Sequence, residues 1–203
     1  MVVVFDICSS SILVEDLTLK GALQRYIWLV GKMKNFLAKL QMRQSPPRFF
    51  FYKFTGDGWI LLFPTERDRK GRVIGGGYVL EVMRELSVWF DRTFRKWADE
   101  NLDTHPPTSG LTFGLDWGPL RRATIFQQQE YLARAMIVAC RLQSELSGED
   151  SPNYKALMMK SVFNEHFSPA EGYAVEDAPK KLKNIGQGRQ HACKRISLLP
   201  INR

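Results

Sequence analysis

KFTGDGWILLF, residues 53–63, is the stretch on which the fold turns. Two apolar runs flank Thr55-Gly56-Asp57-Gly58, and Asp-Gly is the turn chemistry of a β-hairpin. The first strand reaches back through RFFFYKF (48–54), and the second is WILLF (59–63). Upstream, VVVFD (2–6) is a β-branched run that reads as a buried strand ending in an acid. ICSSS (7–11) is a small polar turn. From about 15 to 42, Leu19, Leu23, Tyr26, Ile27, Val30, Met33, Phe36, Leu37 and Leu40 recur at three and four, which predicts one long amphipathic helix ended by Pro46-Pro47.

Downstream, 64–77 reads as a polar, Gly-rich loop and about 78–101 as a second long helix. GLTFGLDW (110–117) and LRRATIF (120–126) read as two strands around Gly118-Pro119, and a third helix spans about 130–146. KALMM (155–159) is a short strand, 161–167 a helical turn or two, and 172–177 and 191–199 a closing strand pair. The order βαββαββα with a β-rich end predicts an α+β sandwich of the split-βαβ, ferredoxin-like βαββαβ type. The expectation is one domain over 1–203, with a core at about 2–146 and a basic β-rich portion at about 155–203.

The chain has 203 residues, 44% of them hydrophobic and 25% charged, which fits a globular chain and excludes a disordered one. No run approaches the ~18–20 apolar residues of a membrane span. MVVVFDICSS has no basic leader, and three scattered cysteines without a CxxC suggest reduced thiols, so a cytoplasmic protein with no membrane partner is expected. The formal charge is +8, and residues 179–203 alone contribute +7, leaving 1–178 almost neutral. A basic end can bind nucleic acid or nucleotide phosphates, or be a solvated strand.

Two acids stand out. Asp6 ends an apolar strand, and Asp57 sits between two glycines in the hairpin turn. Alone, each has a bland explanation, as a strand end and as good turn chemistry. In a split-βαβ fold the two strands are neighbours, so the carboxylates could meet and form a hard oxygen site for Mg²⁺ or Mn²⁺. Ser9, Ser10 and Ser11 would offer N–H groups and hydroxyls to phosphate at a helix start.

FDICSSS (5–11), KFTGDGWILLF (53–63), TFGLDWGPL (112–120), EYLARAMIVACRL (130–142) and KKLKNIG (180–186) together, in this order, resemble the class III nucleotidyl cyclases. The resemblance implies that Asp6 and Asp57, with the Ile7 carbonyl, hold two Mn²⁺ or Mg²⁺ ions. It matches Arg141 to the family's transition-state arginine and Lys183 to its phosphate lysine. It places Lys53 and Glu130 at the base-reading positions, with Tyr52 and Arg134 nearby. It also implies a homodimer with composite sites, acting on a nucleoside triphosphate.

The sequence departs from the family pattern in three places. Ile137 stands where a ribose-orienting asparagine is usual, Ala133 where a glycine is usual, and Glu130 is longer than the usual aspartate. A short chain without a regulatory domain is similar to the pyrimidine cyclases of bacterial anti-phage systems (Pycsar), whose cyclic UMP or cyclic CMP is read by a separate effector. That reading expects no nucleic-acid partner. The alternatives are an adenylate cyclase, and a non-catalytic ferredoxin-like nucleic-acid-binding module using the basic end. The second alternative predicts exposed aromatics on the sheet near that end. His105, His166 and His191 have no partner at ligand spacing, and Gly75-Gly76-Gly77 lacks the Lys-Ser/Thr of a phosphate loop.

Overall fold

The computed structural model describes residues 1–43, 45, 48–64, 66–67, 73–106 and 108–199, with the backbone alone at 66, 67, 73 and 74. Pro46, Pro47 and Arg203 lie outside the described residues. The first half runs β1 (Val2–Ile7), α1 (Ser10–Leu19), α2 (Leu23–Met42), β2 (Phe50–Phe54), β3 (Trp59–Leu62), β4 (Glu66–Arg67), β5 (Val73–Ile74) and α3 (Gly76–Asn101). The second runs β6 (Leu111–Asp116), β7 (Arg121–Ile125), β8 (Gln128–Leu132), α4 (Arg134–Ser147), β9 (Lys155–Met159), α5 (Lys160–His166), β10 (Ala174–Asp177), β11 (Lys180–Lys181), β12 (Gln190–His191) and β13 (Cys193–Ser197).

The main sheet has seven strands in the order β10-β13-β9-β6-β1-β3-β2. Pairing is antiparallel except between β6 and β9. Strands β1, β2, β3 and β6 with the intervening helices form the expected ferredoxin-like core: β3 separates β1 from β2, and β6 flanks β1 on its other side.

Side-chain alternation explains why VVVFD is apolar throughout. Val3, Phe5 and Ile7 join the large core made with α1, α2 and α3, including Leu17, Met33 and Phe90. Val2 and Val4 face the other way, against Ala135 and Ala139 of α4. With both faces covered, no polar position is left in the strand until Asp6. Helix α4 lies close to β6: a Cβ on Gly114 would fall 2.1 Å from the Ala139 carbonyl oxygen and 2.4 Å from the Gln143 nitrogen. Beside it, buried Gln143 donates from Nε2 to Thr112 Oγ1 at 2.9 Å, so the polar pair is satisfied.

Four expectations are corrected. The helix of 15–42 is two helices, broken where Gly21 adopts φ 65° and Ala22 N–H closes on the Leu17 carbonyl at 2.7 Å. Leu19 and Ile27, counted in its apolar stripe, are exposed, whereas Leu29 is fully buried. The loop of 64–77 contains the paired strands β4 and β5. The third helix begins at Arg134: residues 128–132 are strand β8, paired with β7 in a separate hairpin, so 120–126 does not pair back onto 110–117.

Three of the cations of the basic end are paired within the chain. Glu149 accepts from Arg195 and lies 2.7 Å from Lys180. Arg195 also reaches Glu176 at 2.8 Å, and Lys194 reaches Asp177 at 3.1 Å. Exposed large aromatics lie on α2, β2 and the β7–β8 turn (Trp28, Phe50, Phe54, Phe126), not on β10 or β13. Neither observation suits a nucleic-acid platform on this end.

The α4–β6 approach yields a stability test. Gly114→Ala is expected to cost about 3 kcal/mol or more, because backbone on both sides must move. Gly31→Ala, in the open middle of α2, should gain about 0.5–1 kcal/mol. Urea unfolding measures both, and a Gly114→Ala protein of unchanged stability would contradict the packing.

Candidate active site

Strand β1 delivers Asp6, and the turn into β3 delivers Asp57. The register Phe5↔Trp59 sets Gly58 opposite Asp6. A Cβ on Gly58 would sit 1.7 Å from the Phe5 carbonyl oxygen and 2.7 Å from Asp6 Oδ1. Only glycine permits this approach, and it draws the Asp57 carboxylate into hydrogen-bond contact with Asp6. Thr55 Oγ1 donates to Asp6 Oδ1 at 3.3 Å, and Ser10 Oγ donates to Asp57 Oδ2.

Burial, then the Asp57 carboxyl beside it, pushes the Asp6 carboxyl up to about 8. Tyr26 of α2 feels both charges, and its buried hydroxyl has no hydrogen-bond partner among the described residues. Ser10 opens α1, whose first N–H groups have no acceptor within the helix. Ser9 precedes it at φ 58°, its carbonyl accepting from Leu13 at 3.1 Å, and Ser11 is exposed. Ile7 ends β1 with its side chain buried, so only its backbone can face the site.

Two carboxylates forced together beside a helix N-terminus, with their repulsion stored as proton affinity, fit a hard divalent cation. Mg²⁺ or Mn²⁺ would be held by Asp6, Asp57 and the Ile7 carbonyl, with the rest of the coordination from substrate and water. No cluster of three His, Cys, Asp or Glu side chains suited to a metal occurs among the described residues.

A second group of residues singled out in the sequence lines a groove of about 580 Å³: Tyr52 and Lys53 of β2, Glu130 of β8, and Ile137 and Arg141 of α4, with Cys140 between the last two. The Tyr52 hydroxyl donates to the Glu130 carboxylate and accepts from Tyr131 N–H at 3.1 Å. Lys53 Nζ lies 3.5 Å from Glu130 Oε1. The Tyr52 hydrogen bond, helped by Lys53, holds the Glu130 carboxyl below the usual range. Asp6 and Asp57 do not line this groove.

Two predicted residues stand apart from it. Arg134 reaches toward buried Asp116 at 3.9 Å, and burial pushes that acid up to about 6. Lys183 is exposed in the turn after β11, between Leu182 and Ile185, which pack on Val138 and Leu142 of α4.

Sequence reasoning missed Tyr131 and Cys140 as groove walls, and missed Thr55 and Tyr26 beside the acids. Only the alternation along β2 and β8 could have pointed to Tyr131. Tyr26 carried a core signal and nothing else.

No family model matches the chain, and no curated protein matches it in sequence. Solved structures match its fold over nearly the whole length. The adenylyl cyclase CyaB of P. aeruginosa superposes with TM-score 0.71 at 15% identity, over 96% of this chain and 91% of that one. The guanylyl cyclase Cya2 gives 0.68 at 9%, over 99% and 92%. A Trypanosoma brucei adenylate cyclase, titled as in its monomeric state, gives 0.65 at 14%, over 100% and 90%. The fold is that of a cyclase catalytic domain.

On the cyclase fold, the acid pair generates a pH prediction. Asp6 takes up its proton near pH 8 in the folded chain and near 4 when unfolded. Between those values the folded state binds more protons, so stability of the metal-free protein falls as pH rises from about 4 to about 8. Asp6→Asn should flatten that slope in urea unfolding followed at pH 5 and pH 8 with EDTA present. An unchanged slope would show that the pair does not hold the proton.

Proposed function

We propose that this chain is a metal-dependent nucleotidyl cyclase, converting a nucleoside triphosphate into a 3′,5′-cyclic nucleotide and pyrophosphate. The observation that carries this reading is the convergence of Asp6 and Asp57 over Gly58, on a chain with the cyclase fold. Divalent ions bound there would acidify the ribose 3′-hydroxyl and balance charge on the phosphates. Asp6 and Asp57 must be ionised to hold them, and Ser10 orients Asp57 for that role. The first N–H groups of α1 face developing negative charge. Arg141 neutralises the α-phosphate as the 3′-oxygen attacks in line, an interaction that strengthens in the transition state. Lys183, on a turn packed against the helix that carries Arg141, would reach the triphosphate from the exposed side.

The groove with Arg141 contains Tyr52, Lys53 and Glu130, to which we assign base reading, and not the acids. A homodimer with two composite sites joins them: Asp6 and Asp57 from one chain, Arg141, Lys53 and Glu130 from the other. The exposed apolar side chains of Ile125, Leu132 and Ile137 beside the groove support a partner surface there.

For the base we favour a pyrimidine, giving cyclic UMP or cyclic CMP. The Tyr52 ring stands on the groove wall and its hydroxyl engages Glu130, which suits a smaller base. With the anti-phage-type resemblance, the product would be read in the cytoplasm by a separate effector. The second reading is an adenylate cyclase, supported by the Lys53–Glu130 pair at 3.5 Å. Ile137, in the usual asparagine position and exposed, leaves the ribose to be held by other groups.

Incubation with ATP, GTP, CTP or UTP and Mn²⁺, with product analysis, should yield cyclic UMP or cyclic CMP. Cyclic AMP alone would select the second reading, and no cyclic product would end the cyclase reading. Asp57→Ala and Arg141→Ala should each lower turnover by at least about a hundredfold. Mixed one to one, the two inactive variants should recover roughly a quarter of wild-type activity, since half the dimers then hold one intact site. No recovery would exclude composite sites.

A further inference from the structure

On the face of the sheet that carries α3, a cleft of about 830 Å³ is lined by residues the proposed reaction does not use. Helix α3 supplies Asp91, Arg92 and Arg95, the turn entering β9 supplies Asn153 and Tyr154, and β9 itself begins with Lys155.

Tyr154 is buried at φ 58°, a backbone conformation that a bulky side chain rarely adopts. Gly110 faces it at φ 141°, where a Cβ would lie 3.0 Å from the Tyr154 ring. Strain of this kind persists only where the surrounding structure imposes it. Here it holds the Tyr154 hydroxyl 3.1 Å from Asp91 Oδ1, which also accepts from Arg95 Nε at 3.2 Å and Nη2 at 3.0 Å. Three donor atoms thus converge on Asp91 Oδ1, and the Arg95 guanidinium offsets the carboxylate charge. Asp99, the other acid of the cleft, lies 3.1 Å from His105.

Among the described residues, the other two basic side chains of the cleft are Arg92 on the helix wall and Lys155 on the strand wall; Glu176, which feels the Lys155 charge, is itself hydrogen-bonded to Arg195. Lys155 donates to the Ser151 carbonyl, a contact that fixes the ammonium without cancelling its charge. A planar guanidinium and a point ammonium on two walls of a cleft that Asn153 also lines suit a tetrahedral dianion. The cleft is larger than a bare ion and lies within the roughly 300–1,000 Å³ of small-molecule sites. One hydrogen bond, Cys8 N–H to the Gly110 carbonyl at 2.9 Å, links its wall to the end of the Asp6 strand.

We propose that this cleft is a second ligand site, binding a small phosphate monoester through Arg92 and Lys155. The site stands independently of the cyclase reading.

The test is amide NMR on the full chain, titrated with inorganic phosphate, ribose 5-phosphate and UMP at constant ionic strength. The expected result is saturable shifts at Arg92, Asn153, Lys155 and Gly110, with one ester at least about tenfold tighter than phosphate. Tighter ribose 5-phosphate would mark a sugar-phosphate ligand, and tighter UMP a nucleotide. Arg92→Ala/Lys155→Ala should weaken binding at least about tenfold, while Arg141→Ala leaves it unchanged. If the double variant fails to fold, Arg92→Gln on the exposed helix surface carries the same expectation. Shifts that do not saturate, that survive these substitutions, or that vanish in Arg141→Ala would overturn the proposal, as would esters no tighter than phosphate.

Discussion

Gly58 presses its α-carbon against the carbonyl of Phe5, and the rest of the site depends on that approach. Where a side chain would have to occupy space 1.7 Å from an oxygen, the hairpin can seat against β1 only without one. The seating fixes the β1–β3 register and sets the Trp59 ring 5.9 Å from Phe5, tilted by 38°. It also leaves Asp57 no place except beside Asp6. Two carboxylates in contact oppose folding at neutral pH, so the core has to supply the difference. It does so with both faces of β1 buried, by Val3, Phe5 and Ile7 on one side and Val2 and Val4 on the other.

Helix α4 distributes its sides among three tasks. Ala135 and Ala139 are small enough to let it lie on β1 and on Gly114 of β6. Val138, Leu142 and Leu146 pack against Leu157, Leu182, Ile185 and Cys193, tying the C-terminal segments to the helix. The remaining side presents Ile137, Cys140 and Arg141 to the groove. Because the first two contacts are close, the helix cannot rotate to change what it shows. Arg141 is held on the groove side.

The parts of the fold legible in the sequence are those where periodicity and burial coincide: β1, the β2–β3 hairpin, α3, β9 and the β10–β13 pair. The break between α1 and α2 was hidden because the apolar spacing continues across Gly21. Strand β8 was hidden because Glu130, Tyr131 and Leu132 carry no helix-breaking signal. Its hairpin turns at Phe126 and Gln127, both at positive φ without glycine, so the usual turn signature is missing. The acid pair was legible because strand adjacency alone brings Asp6 and Asp57 together. The Tyr52–Glu130 hydrogen bond was not, because it joins the main sheet to a hairpin whose position no local pattern encodes.

Net charge misleads in this chain for a similar reason. The +7 of residues 179–203 suggests a polyanion partner, yet Lys180, Lys194 and Arg195 face Glu149 after α4 and Glu176 and Asp177 of β10. Cations already paired displace few counterions from a polymer's phosphates, and such release is the main source of nonspecific nucleic-acid affinity. Lys181, Lys183 and Arg189 remain exposed around the β11–β12 hairpin. That hairpin's connecting segment packs on α4 through Leu182 and Ile185. The unspent positive charge is therefore concentrated beside the helix that bears Arg141.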